Sequence, residues 1–155
     1  MWRDLFTSSP TRTPRRSDVL DLPGPRRYGT LQLRHVDVGS CNGCEMEIAN
    51  AFGPVYVAPQ YGARLVASPR HADGLLVTGT PTLNMRQPLE RVHDAVPRPA
   101  LVIACGDCAL GRGPYADAYA VTGAVGDQVE VHAEIPGCPP TPEEIVDVLR
   151  RVSGR

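Results

Sequence analysis

The sequence predicts an α/β domain with an open, mostly parallel sheet flanked by helices, and three observations predict it. Residues 74–78 and 100–104 are continuous apolar runs, as strands covered on both faces are. Segments of helical periodicity separate such runs. The resulting order, β-α-β-β-α-β-β-α, alternates as parallel α/β folds do.

Each element has its own warrant. Residues 31–38 alternate apolar and polar for most of their length, the pattern of a half-buried strand. A short helix is expected over 45–52 and a weak strand over 64–67. Met85, Leu89, Val92 and Val96 recur at spacings of four, three and four, which makes them the buried stripe of a helix. Pro88 falls near its start, where proline is best tolerated. Residues 129–135 alternate again and predict a strand. The last helix has Thr141 as N-cap, Pro142 at its first position and Glu144 completing a capping box. Ile145, Val148, Leu149 and Val152 form its apolar stripe.

Composition bounds the possibilities. The chain has 155 residues, 42% hydrophobic and 21% charged, enough for one globular domain with its own core. Sixteen prolines and 15 glycines predict many loops. A formal net charge of −1 argues against a nucleic-acid binder. No stretch has the roughly 18 apolar residues of a membrane span. Arg15-Arg16 is a twin arginine, but Asp18, Asp21 and Pro23 follow where an export signal needs an apolar run. Residues 1–30 stand apart, with six Arg, three Asp and four Pro. Trp2, Leu5 and Phe6 lean this segment toward an arm ordered by a partner, with a flexible tail as the alternative. Residues 31–155 form the domain.

Five cysteines carry the chemistry: Cys41 and Cys44 in Cys41-Asn42-Gly43-Cys44, Cys105 and Cys108 in Cys105-Gly106-Asp107-Cys108, and Cys138. Their odd number and the lack of an apolar leader oppose a secreted disulfide framework. Each group follows a predicted strand. The carboxyl ends of parallel strands share one edge, where ligands bind at the switch of strand order, so the cysteines can meet there. Thr78-Gly79-Thr80-Pro81 follows a strand too and is expected in the same crevice. Four thiolates suit an iron–sulfur cluster or a zinc ion. Structural zinc ordinarily uses paired knuckles about 15–20 residues apart, closer than the pairs here. A lone Cys-x-x-Cys also suits a redox pair. Spacing alone does not choose between Cys105 and Cys108.

Four blocks then become recognisable. They are Asp37-Val38-Gly39-Ser40-Cys41-Asn42-Gly43-Cys44-Glu45-Met46-Glu47-Ile48, the run 68–79 from Ser68 to Gly79, Cys105-Gly106-Asp107-Cys108-Ala109, and Ile135-Pro136-Gly137-Cys138-Pro139-Pro140. Together they resemble the small subunits of [NiFe]-hydrogenases of the energy-converting, formate hydrogenlyase type. The same blocks, in the same order, are shared with the B subunit of complex I, the 20 kDa subunit family of NADH:quinone oxidoreductase. The resemblance covers residues 31–152 and implies a flavodoxin-like domain with one [4Fe-4S] cluster facing a larger catalytic subunit. Its ligands, carried over by position, are Cys41, Cys44, Cys108 and Cys138, the third lying in a Gly-x-Cys-Ala motif. Cys105 becomes a spare thiol or an alternative ligand. Further iron–sulfur and membrane subunits are implied as partners, with the chain peripheral on the cytoplasmic face of the cell membrane. The Cys41–Cys44 spacing follows the hydrogenases, since complex I has adjacent cysteines in this block. A complex I-type quinone reductase is the alternative, and a zinc-stabilised interaction domain the other.

Glu47 matches a glutamate of the family and is a candidate for proton movement at the subunit interface. Ser40 could bond a cluster sulfur, and Gly43, Gly106 and Gly137 sit beside ligands. Gly111-Arg112-Gly113 departs from the family's plainer glycine run and puts Arg112 near the site. His35, His71, His93 and His132 have no mutual ligand spacing. No nucleophile triad, phosphate loop or paired catalytic carboxylates stand out. The chain is expected to be inert on its own.

Overall fold

The computed structural model describes residues 30–154. The expected N-terminal arm, apart from Thr30, lies outside them. Five strands form one parallel sheet: β1 Leu31–Asp37, β2 Ala63–Leu65, β3 Gly74–Thr78, β4 Leu101–Cys105 and β5 Ala133–Ile135. Their spatial order is β2-β1-β3-β4-β5, the flavodoxin-like arrangement. Three helices flank the sheet: α1 Gly43–Ala51, α2 Leu83–Ala95 and α3 Pro142–Ser153. The expected α/β fold and element order are therefore both present.

The two faces are filled separately. Ile48 of α1 and Ile145 and Leu149 of α3 pack with Leu33, Leu76 and Ile103 on one face. Leu89 of α2 packs with Leu75, Val77 and Val102 on the other. β3 and β4 are buried at every position, because helices cover both faces. β1 behaves differently along its length. Leu31 and Leu33 face the α1/α3 side, whereas Val36 and Val38 face the α2 side. Its alternation changes phase in the middle, which leaves His35 and Asp37 as the α1-side residues at its carboxyl end.

Three expectations are adjusted. α1 begins at Gly43, so Cys44 sits on the helix itself. Pro88 lies inside α2, which begins at Leu83, rather than at its first turn. The last strand is shorter than the alternation over 129–135 implied, and only Ala133–Ile135 pair with β4. Val129 and Val131 are covered by the α2-side core, which explains the alternation. The chain just before β5 is held differently: the Val129 N–H bonds the Val125 carbonyl, and the Val102 N–H bonds His132 Nδ1 at 3.2 Å.

The end of the chain follows its local signals. Glu144 N–H donates to Thr141 Oγ1, and Thr141 N–H donates to Glu144 Oε2 at 2.8 Å, the predicted capping box. Asp73 holds the opposite edge of the sheet, accepting the Gln32 N–H at 2.8 Å. No helix among the described residues is long and apolar enough to cross a membrane.

Candidate metal centre

The carboxyl ends of β1, β3, β4 and β5 line up as Asp37, Thr78, Cys105 and Ile135, which are register partners across four strands. The first turn of α1 lies over this row. Cys44 meets Cys105 there, and Glu45 meets Thr78. The loops that leave the row carry the remaining cysteines.

The loops after β1 and β3 pack backbone against backbone. A Cβ on Gly39 would lie 2.4 Å from the Thr80 carbonyl oxygen, and one on Gly79 would lie 2.4 Å from the Ser40 nitrogen. Both glycines also have positive φ, at +134° and +85°. Asp37 fixes the first loop by accepting from the N–H groups of Gly39 and Ser40 at 2.8 and 2.7 Å. The loops after β4 and β5 are joined as well. Gly106 N–H bonds the Ile135 carbonyl, Asp107 N–H bonds the Gly137 carbonyl, and Gly137 N–H donates to Asp107 Oδ1 at 3.1 Å. Arg112 extends outward and stands 3.9 Å from Asp107.

Of the expected ligands, Cys44 and Cys108 are buried and Cys41 and Cys138 are exposed. Cys108 stands within electrostatic reach of Cys138, Cys44 and Cys41. Burial first, then the negative character of those thiols, pushes its own thiol up. The Thr80 hydroxyl faces the Cys108 sulfur and is buried without a hydrogen-bond partner. Cys105 is fully buried in the α1/α3-side core. Its hydrogen bond to Cys44, with burial, pushes the Cys105 thiol up, and the same hydrogen bond holds Cys44 down against the effect of its own burial. Gly106 makes that approach possible, because a Cβ there would stand 2.5 Å from the Cys44 sulfur.

A polar chain that sequence reasoning missed runs beside the cysteines. Ser40 Oγ donates to Glu45 Oε2 at 2.6 Å, and Thr78 Oγ1 donates to Glu45 Oε1. His35 Nε2 lies 2.8 Å from Thr78 Oγ1 and 3.5 Å from Glu45 Oε1. Burial holds the His35 imidazole below its ordinary value, against the opposing pull of Glu45 and Asp37. The available signal was a polar pair, His35 and Asp37, ending the strand face that Leu31 and Leu33 begin. Glu47 is not part of this chain and accepts from Asn50 Nδ2 at 3.2 Å.

Thiol sulfurs suit a soft metal centre, and the unpartnered Thr80 hydroxyl supplies a donor directed at one of them. Among the described residues, no three His, Cys, Asp or Glu side chains group tightly enough to hold a single metal ion. Zinc draws all four thiolates to about 2.3 Å of one point.

The fold and the site define an open parallel α/β domain whose ligand edge, at the switch of strand order, is lined with thiols. The family model described as NADH ubiquinone oxidoreductase, 20 Kd subunit, matches residues 41–152. The chain belongs to this family of oxidoreductase subunits. Formate hydrogenlyase subunit 7 of Escherichia coli is 46% identical over 107 residues, which are 69% of this chain and 42% of that protein. A probable membrane-bound hydrogenase subunit of Pyrococcus furiosus, mbhJ, is 42% identical over 112 residues, 72% of this chain and 67% of that protein. Among solved structures, a chain of the membrane-bound sulfane sulfur reductase, an archaeal respiratory membrane complex, superposes with a TM-score of 0.71. It is 27% identical, and the match covers 82% of this chain and 70% of that one. An NAD+-reducing [NiFe]-hydrogenase chain, at 19% identity and a TM-score of 0.56, shares the fold, with 74% of this chain and 85% of that one covered.

Proposed function

We propose that this chain is the electron-transfer subunit of a membrane-associated, [NiFe]-hydrogenase-like complex. It holds one [4Fe-4S] cluster on Cys41, Cys44, Cys108 and Cys138, next to a larger catalytic subunit. The observation that carries this reading is that the segments bearing these four cysteines all leave one edge of the sheet, while Cys105 is buried in the core. The relatives named as a formate hydrogenlyase subunit and a probable membrane-bound hydrogenase subunit, and the Cys41–Cys44 spacing, support the hydrogenase side.

Such a cluster supplies one-electron transfer when bound. The protein's part is to hold and surround it. Cys44 and Cys108 offer their sulfurs from buried positions, and Cys41 and Cys138 offer theirs from the exposed rim. The Thr80 hydroxyl is available to bond a sulfur, and hydrogen bonds to sulfur tune potential. The outward rim faces the proposed catalytic partner, and Glu47 serves proton movement there. Membrane association, on the cytoplasmic side, comes through partner iron–sulfur and membrane subunits.

The likeness to the sulfane sulfur reductase chain favours a second reading: the same kind of subunit in a membrane complex without hydrogen chemistry, including a quinone reductase of complex I type. Anaerobic metal and acid-labile sulfide analysis of the complex, isolated with its native partners, separates the two. Iron and sulfide with stoichiometric nickel support the hydrogenase reading. Iron and sulfide without nickel support the second. Zinc without iron refutes both.

A further inference from the structure

We infer that Glu45 is a positioning residue for the cysteine pair beside it: its carboxylate ties both the Cys41 loop and the Cys44 helix to the sheet and sets a fixed negative charge next to them. This rests on the reading of Cys41 and Cys44 as cluster ligands.

The hydrogen bonds have one consistent direction. Ser40 Oγ also receives the Asn42 N–H at 3.1 Å, so the Ser40 proton goes to Glu45. Thr78 gives its proton to the other carboxylate oxygen, and its own oxygen is then matched by His35 in the tautomer protonated at Nε2. Both carboxylate oxygens therefore act as acceptors, as an ionised carboxylate does. One oxygen holds the residue that precedes Cys41, and the other holds β3. Glu45 itself follows Cys44 on α1. The single side chain thus joins three segments on which the geometry of the Cys41–Cys44 pair depends.

Thr78 shows that this is more than an acid in a helix's first turn. It is fully buried, between Asp37 and Cys105 in the cross-strand row, and its hydroxyl proton has Glu45 as acceptor. Without that acceptor, the buried hydroxyl has only His35 Nε2 to take its proton, and the ring must change tautomer to do so. A general preference for negative charge at a helix N-terminus requires neither partner. Metal sites use such outer partners to orient their ligands.

The test is made in the native complex with Glu45→Gln and Glu45→Leu. Three quantities are read: iron release to a chelator, the electron paramagnetic resonance spectrum of the reduced protein, and the midpoint potential. Glutamine keeps the bridge, because its carbonyl accepts from Thr78 and its amide donates to Ser40, but it removes the charge. The expected result is near-native iron retention with a positive shift of potential. Leucine removes bridge and charge, and iron release should quicken on the order of 10–100-fold, with an altered spectrum. Native release, spectrum and potential in Glu45→Leu overturn the inference and leave the cluster reading standing. If Glu45→Leu does not assemble, Glu45→Gln decides, and an unchanged potential overturns the inference. Absence of iron from the wild-type complex removes the cluster reading and this inference together.

Discussion

Cys105 and Cys108 are separated by two residues and have opposite surroundings. Cys105 ends β4 inside the core and bonds Cys44. Cys108 belongs to the loop that faces Cys41 and Cys138. Cys108→Ser should therefore lose or degrade the proposed cluster, and Cys105→Ser should retain it. Iron content and the visible absorption of the two variants, compared with wild type, check this. The reverse result would exchange their roles.

His35 gives the residue scale a pH signature. Its folded value is depressed, chiefly by burial, so the unfolded chain takes up the proton first as the solution is acidified. The stability it contributes is complete above the unfolded value, about 6.5, and is lost as pH falls through the folded one. His93 is depressed too, again chiefly by burial. Thermal unfolding followed from neutral to mildly acid pH should show falling stability, and His35→Gln should flatten part of that fall, leaving the share of His93. An identical pH profile in the variant would count against the buried position of His35.

The placement of the cysteine-bearing segments at one sheet edge was readable because each follows a predicted strand, and parallel strands bring those ends to one edge. The Glu45 bridge was not readable in the same way. Its partners, Ser40, Thr78 and His35, come from separate segments, and none has a spacing that signals the others. Only the register of β1 with β3 brings His35 and Asp37 beside Thr78.

At the scale of elements, the strongest local signals were the most faithful. β3 was read with its true ends, since five residues covered on both faces allow only apolar side chains plus a terminal threonine. α3 was read from its capping box and stripe. Thr141→Ala should cost roughly 1 kcal/mol, the usual worth of such a cap, measurable by urea denaturation. β5 was overread because alternate burial does not require a ladder partner: Val129 and Val131 are covered by side chains, while only three residues pair. The middle of β1 departs from strict alternation for a related reason. Its alternation breaks at Arg34-His35, and the break marks where the strand exchanges its covered face. Pro88 shows a helix overriding a local preference, because Leu89 is fully buried and anchors α2 one residue beyond the ring.

At the scale of the molecule, large apolar side chains remain exposed on segments near the thiol-lined edge: Met46 in α1, Leu83 at the start of α2, and Tyr115 and Tyr119 in the chain after β4. Leu83 N–H bonds the Ala120 carbonyl, which brings two of these segments together. Exposed apolar groups beside a functional edge suit a subunit interface. Tyr119→Glu and Met46→Glu should reduce recovery of the chain with its partners in affinity purification and leave its circular dichroism unchanged. Val55, exposed beyond the other end of α1, provides the contrast, and Val55→Glu should leave recovery intact.

The parallel order also has a consequence in time. The cysteine pair at the start of α1 emerges from the ribosome well before the loop after β5, which completes the edge. At synthesis rates of about 5–20 residues per second, the delay is roughly 5–20 s. During that interval the nascent chain carries reactive sulfurs with no finished cradle, because β4 and β5 have yet to join the sheet. On the proposed cluster reading, all four sulfurs can hold the cluster only once the loop after β5 has joined the edge, and the early thiols must stay reduced until the last strand arrives.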